Sequence, residues 1–216
     1  DKELGEPDVI ILPGTKSTVH DMLALKKTGM DKKILKCHSR GSVVFGICGG
    51  YQMLGKEISD KFKAESDNEC SEGLGLLNVV TEFRKNKFTT LSKGRDNVFG
   101  AEVRGYEIHM GETVGADIEN SFITIGERGG RAASGQDGMI NKDLTVFGTY
   151  IHGIFDSSEF TRSFLNLIRR RKGLIPLENR APDYWEYKEG QYDKLAEIVR
   201  SNLDMKKFYE ILKAGI

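Results

Sequence analysis

The run Val9-Ile10-Ile11-Leu12 is wholly apolar and rich in β-branched residues, and Pro13-Gly14 stops it. A strand wetted on one face would alternate apolar and polar positions. This run does not, so it predicts a central parallel strand buried on both faces. From Thr15 to Gly29, Val19, Met22, Leu23 and Leu25 fall at helical spacing, with Ser17 or Thr18 placed to cap the first turn and Gly29 to end the last. A second helical stretch covers Met30 to Ser39, and Ser42 to Ile47 is again an apolar strand. Directly after it, Cys48-Gly49-Gly50 leads into a helical Tyr51 to Gly55. Strand, helix, strand, sharp turn and helix describe a doubly wound α/β unit.

Past Lys56 the pattern weakens. Lys56 to Ser71 is polar and reads as an irregular excursion, while Leu74 to Phe83 and Lys87 to Leu91 read as two short β runs. Ala101 to Thr113 and Ser121 to Ile125 are strand candidates, and Glu127 through Gly138 is a glycine-rich hairpin region. Thr145 to Ile151 is expected as the last strand. Phe160, Phe164, Leu165, Leu167 and Ile168 predict a helix from Ser158 to near Gly173, after which a link with Pro176 and Pro182 leads to helices over Tyr192–Leu203 and Met205–Leu212. The expected division is a domain over residues 1–175 and a helical extension over 176–216 packed on it.

Length and charge narrow the function. A chain of 216 residues suits one main α/β core. Hydrophobic residues at 38% and charged residues at 30% argue against a disordered tail or a membrane bundle. With Lys+Arg 32 against Asp+Glu 32, the chain lacks the basic footprint of a nucleic-acid or anionic-membrane binder, and neither partner is expected. The cysteines Cys37, Cys48 and Cys70 form no C-x-x-C pair, so neither a disulfide framework nor a metal site is expected, and the compartment read from them is the cytoplasm. The first residues lack the apolar core of a signal peptide, and the longest apolar runs are too short to cross a bilayer.

The sharpest chemical signal is Gly46-Ile47-Cys48-Gly49-Gly50, a glycine-flanked nucleophile at the turn from strand to helix. Such an elbow holds the nucleophile in strained backbone where bulkier neighbours would collide. It places the Cys48 sulfur at the positive end of the helix, where thiolate is favoured, and leaves the Gly49 amide free for a developing oxyanion. A thiolate acyl-transfer site needs an acid and base, and His152, just past the last strand, is placed to stand at the same sheet edge. The Gly14-Thr15 turn after the first strand approaches that edge as well and offers a second oxyanion N–H. The blander readings are a tightly packed thiol at a strand end and a histidine satisfied by backbone.

These segments, together with Pro7 to Thr18, Phe45 to Gly55, Gly73 to Leu77, Gly105 to Gly111 (GYEIHMG), Asp137-Gly138, Val146 to Phe155 (VFGTYIHGIF) and Gln191 to Leu203, resemble the glutamine amidotransferase part of cobyric acid synthases. That is the cobalamin-pathway branch of the class I glutaminases. The resemblance implies a flavodoxin-like doubly wound sheet, Cys48 as nucleophile, His152 as acid and base, and Gln52 lining the glutamine pocket. It further implies glutamine as substrate, a corrinoid acceptor, and an ATP-binding synthetase domain upstream that uses ATP and Mg, with no cofactor in this chain. Two departures stand out. Class I members usually carry an acid two residues after the histidine, where this chain has Ile154, and Asp156 lies past the strand. The family fold also opens with at least one strand before Val9 to Leu12, so the sheet is expected to lack its first strand or strands and the chain to be part of a longer protein.

Other features carry less. In Tyr106-Glu107-Ile108-His109 strand alternation puts Glu107 and His109 on one face and Tyr106 and Ile108 on the other; Tyr106, Glu107 and His109 are candidates for substrate contact, against a plain polar strand face. Gly14-Thr15-Lys16-Ser17 fails the phosphate-loop spacing. Cys37 and Cys70 read as structural or incidental, Arg84 and Lys87 as a solvated charge cluster, and Trp185-Glu186-Tyr187 gives no chemistry. The competing functions are a glutaminase for another acceptor, such as a different cobyrinate carboxylate or a cell-wall precursor, a cysteine hydrolase or chaperone of the PfpI kind, and an inactive docking module.

Overall fold

A computed structural model of the chain describes residues 4–63, 70–115, 120–178 and 183–215. Part of the polar excursion (64–69) and the link at Pro182 lie outside the described residues. In chain order the elements are β1 (Val9–Leu12), α1 (Thr18–Thr28), α2 (Met30–Ser39), β2 (Val43–Ile47), α3 (Gly49–Leu54), β3 (Glu57–Ser59), β4 (Cys70–Glu72), β5 (Val79–Asp96) and β6 (Glu102–Gly115). They continue with β7 (Ile123–Arg128), β8 (Arg131–Asp137), β9 (Met139–Ile140), β10 (Val146–Thr149), β11 (Ile151–His152), a 3-10 turn (Ile154–Asp156), α4 (Ser158–Arg171), α5 (Tyr184–Asn202) and α6 (Met205–Ala214).

The first sheet has the order β1-β2-β10-β9, with β1, β2 and β10 parallel and β9 antiparallel. Its residues alternate between two cores, as the period of two in a strand requires. On one face Ile10, Leu12, Val44 and Val146 pack with Val19, Met22 and Ile34 of α1 and α2 and with Leu54 of α3. On the other, Val43, Phe45 and Phe147 pack with Phe160, Phe164 and Ile168, which lie four apart on one side of α4. Phe45 is the hub, stacked on Phe147 at 5.7 Å between ring centres and met edge-on by Phe164 at 5.5 Å. Truncating such a ring to Ala costs about 3–5 kcal/mol. Helices on both faces confirm the doubly wound reading. The apolar run of β1 is parallel as expected, but β1 is not central: β2 flanks it on one side, no described strand on the other, and Ile11 is 49% exposed.

The second sheet runs β11-β6-β5-β3-β4, with β7 on β5 and β8 on β7. Here the sequence pattern misleads twice. The two runs read as separate strands join in one strand, β5, which starts only at Val79 rather than Leu74 and pairs with β6 on both sides of a register shift between Phe83 and Phe88. Polar Arg84 to Lys87 interrupts the alternation without ending the ladder. The single strand read over Thr145 to Ile151 is two: β10 stays in the first sheet, and β11 pairs antiparallel with β6 in the second.

The C-terminal helices form, but α5 begins at Tyr184, where Asp183 accepts from Trp185 N at 2.8 Å. Neither α5 nor α6 has a buried residue. The Arg104 guanidinium lies 4.0 Å over the Trp185 ring and joins β6 to α5. No helix among the described residues is long and apolar enough to cross a membrane.

Candidate active site

β2 ends at Ile47, and the next residue turns the chain into α3 with φ 52° and ψ −112°. That residue is Cys48. A positive φ is unfavourable for a side chain with a Cβ and persists only where the surroundings impose it. They do so here by close packing. A Cβ on Gly50 would strike the Leu12 backbone, its carbonyl carbon at 2.5 Å, so α3 starts hard against the end of β1. A Cβ on Gly49 would stand 3.0 Å from Thr18 Oγ1 and 3.1 Å from Thr15 N. The Gly49 and Thr15 backbones are therefore neighbours beside the elbow.

Gly14 is the meeting point. A Cβ there would lie 2.7 Å from His152 Cε1, 3.5 Å from His152 Nδ1 and 3.5 Å from Cys48 Cβ. Sulfur-bearing and imidazole-bearing residues about a hundred positions apart thus face one spot, left open by the absence of a side chain at position 14. Cys48 is largely buried, and its sulfur donates to the Ile108 carbonyl of β6 at 3.4 Å. His152 is half-buried, and burial followed by the nearby His109 lowers its pKa. Its imidazole is therefore neutral at neutral pH and able to accept a proton.

Gln52 faces inward from α3. Its Oε1 accepts from Thr18 Oγ1 at 2.9 Å and its Nε2 donates to Tyr150 Oη at 3.2 Å. Tyr150 Oη continues to Thr113 at 2.6 Å, and Thr113 to Thr81 at 2.7 Å. Burial raises the pKa of Tyr150, so this hydroxyl chain is uncharged. A Cβ on Gly111 would meet Gln52 Nε2 at 2.5 Å, which closes the remaining side.

β6 divides the three candidates from the GYEIHMG segment. In the ladder His152 stands opposite Tyr106, so these side chains share a face, and Tyr106 is 51% exposed beside the imidazole. Glu107 and His109 point the other way. Glu107 is buried and accepts from Ser92, from Arg128 Nε at 3.0 Å and from Arg128 Nη2 at 3.2 Å. Burial alone would raise its pKa, but nearby His109, 3.9 Å away, hydrogen bonds from Arg128 and Ser92 and the Arg128 charge hold it down at about 2. His109 Nδ1 donates to Gly111 O at 2.7 Å, and its ring stacks on Tyr150 at 3.9 Å. Both line a cavity of about 510 Å³ that includes Arg128, Asp137 and Tyr150 but neither Cys48 nor His152. The strand reaches the sulfur through the Ile108 carbonyl instead.

At position 154, where an acid could have oriented the imidazole, Ile154 is 1% exposed in the core. Asp156 is coupled to Lys188, Arg104 and Asp183, and burial raises its pKa. Arg84 pairs with Glu112 at 3.1 Å and Glu82 at 3.3 Å on the exposed sheet, as a solvated cluster does. Cys37 is buried in the α2 core and Cys70 is exposed on β4. Missed from the sequence are Thr18, Tyr150 and Asp137, whose side chains hold Gln52 and the strand before His152. All three lie in segments that carry the family resemblance, but nothing local gives them a role, since each works through a partner far along the chain.

Residues 1–160 match the model of the CobB/CobQ-like glutamine amidotransferase domain. Cobyric acid synthase of Clostridium novyi (strain NT) is 52% identical over 215 residues, which is 100% of this chain and 43% of that protein. Cobyric acid synthase of Streptococcus sanguinis (strain SK36) is 45% identical over 97% of this chain and 42% of its own length. The chain thus spans less than half the length of these curated relatives. Among solved structures, PurLQS from Thermotoga maritima matches with TM-score 0.54 at 20% identity, covering 78% of this chain and 83% of that one, a likeness of fold. By sequence, the chain belongs to the CobB/CobQ-like glutamine amidotransferase domain family.

Proposed function

We propose that this chain hydrolyses glutamine as the ammonia-producing half of a cobyric acid synthase. Cys48 Sγ, its proton taken by His152, attacks the side-chain carbonyl carbon of glutamine. The Gly49 N–H and the Gly14-Thr15 turn hold the oxyanion, and the C–N bond breaks as His152 returns the proton to the departing ammonia. A glutamyl thioester remains. Water, deprotonated by His152, attacks it, and glutamate leaves as the sulfur is reprotonated. Tyr106 walls the pocket on the His152 face. Gln52, clamped by Thr18 and Tyr150, forms its rigid floor, while Glu107 and His109 act from behind β6 by holding the strand that touches the sulfur.

The ammonia goes to a synthetase site outside this chain, where ATP with Mg activates corrinoid side-chain carboxylates in the cytoplasm. The body, residues 1–175, carries the glutaminase chemistry, and 176–216 is a helical appendage to it. The observation that carries the reading is the convergence of Cys48 and His152 on Gly14 beside a strained elbow. In the native protein Cys48→Ala abolishes glutamine-dependent amidation while free ammonia still supports it. Equal loss of both activities would sink the scheme.

A further inference from the structure

Between β10 and β11 the chain crosses from one sheet to the other over a single residue, Tyr150. A strand that changes sheets leaves backbone N–H groups without ladder partners, and in a buried corner each must be answered. Tyr150 N donates to both carboxylate oxygens of Asp137, at 3.1 and 3.2 Å, and Ile151 N donates to Thr149 Oγ1 at 3.0 Å. The Thr149 hydroxyl in turn donates to the Asp137 carboxylate. Asp137 and Tyr150 are 5% and 6% exposed, and Thr149 and Ile151 are fully enclosed. One carboxylate from the end of β8 and one hydroxyl therefore define the corner.

His152 is the next residue. Its backbone is seated opposite Tyr106, and Gly105 alone leaves room for its carbonyl. Among the described residues no hydrogen bond joins Asp137 to the imidazole, and the hydrogen-bonded route from one to the other runs through the backbone of the corner. Burial outweighs the Thr149 and Tyr150 hydrogen bonds and raises the Asp137 pKa to about 6, which is an unfavourable setting for a carboxylate with no task.

We propose that Asp137 is the positioning residue for His152: through Thr149 and the Tyr150 amide it fixes the corner that aims the imidazole at the Cys48 side of Gly14. It stands in for an acid acting directly on the ring, and the inference rests on the glutaminase reading above. A displaced base about 1 Å from its working place loses on the order of 100-fold in rate.

The test measures glutamine hydrolysis by the native protein per active site titrated with a diazo-oxo-norleucine. Asp137→Ala and Thr149→Val each lower kcat about 100-fold and leave KM for glutamine at the wild-type value. Thr149→Ser, which keeps the hydroxyl, retains wild-type kcat. A packing role alone would reduce the yield of folded sites but not kcat per titrated site. Should Asp137→Ala fail to fold, Thr149→Val decides, and wild-type kcat in that variant overturns the inference. Absence of glutamine hydrolysis in the wild type would instead overturn the glutaminase reading, and this inference with it.

Discussion

The elbow and the corner place Cys48 and His152, the two halves of the proposed dyad, by different means. At the elbow, Gly46 lets α3 pack on β2, Gly49 and Gly50 let it start against Thr15 and the Leu12 end of β1, and Cys48 takes a positive φ because its neighbours leave no alternative. At the corner the residue that matters, His152, is set by groups distant in sequence: Asp137 from β8, Gly105 from β6, and Gly14 after β1. Cys48 is fixed by steric exclusion where glycine backbones approach the β1 end, whereas His152 depends on such close approaches and also on the hydrogen bonds that Asp137 makes to the corner before it.

The largest effect expected from breaking this comparison comes from Gly50→Ala. The new methyl would meet Leu12 backbone, which has no freedom to yield, so the loss in a urea unfolding titration exceeds about 4 kcal/mol. Wild-type stability would show that the elbow is not sterically imposed.

Next is Glu107→Gln, which removes a carboxylate held at about 2 against an ordinary 4.5. Because the folded pKa is depressed, Glu107 contributes stability that is present above pH 4.5 and lost as the pH falls towards 2. The variant loses about 3 kcal/mol at neutral pH, and that deficit shrinks to nothing in acid. Asp137 has the opposite sign: its folded pKa is raised from 3.8 to about 6, so its contribution is present below 3.8 and lost as the pH rises through 6. A deficit that does not change between pH 6 and pH 2 would contradict the assignment to Glu107 ionisation.

The smallest effect on folding, though not on rate, is expected from Gly14→Ala. Its methyl would meet His152 Cε1 at 2.7 Å, a side chain free to swing aside, so stability changes by less than about 1 kcal/mol while kcat falls about 100-fold. Equal losses of stability and rate would mean that Gly14 supports the fold rather than the imidazole.

The same contrast explains what the sequence reveals. The elbow, β2, α1, α2 and α4 are readable because their signals are local: apolar runs, helical spacing and glycine punctuation coincide with the element boundaries. Cys48, His152 and Gly14 follow from strand ends in a doubly wound sheet, where side chains from several strands share one edge. β5 escapes because Arg84 to Lys87 hides its continuity, and the edge place of β1 escapes because an apolar run records burial, not neighbours. The split at Tyr150 is invisible for a deeper reason: β10 and β11 share one apolar pattern, and only Asp137, thirteen residues away, reveals the change of sheet. Likewise the alternation of Tyr106 to His109 tells which residues share a face but not which face meets the sulfur.

The most direct test of a shared Cys48 and His152 pocket shaped for glutamine is mass-spectrometric mapping of the adduct left by a diazo-oxo-norleucine. The account predicts labelling at Cys48 alone, blocked by glutamine and slowed in His152→Ala. Labelling of Cys37 or Cys70 to the same extent, or a Cys48 adduct that glutamine does not prevent, would contradict it.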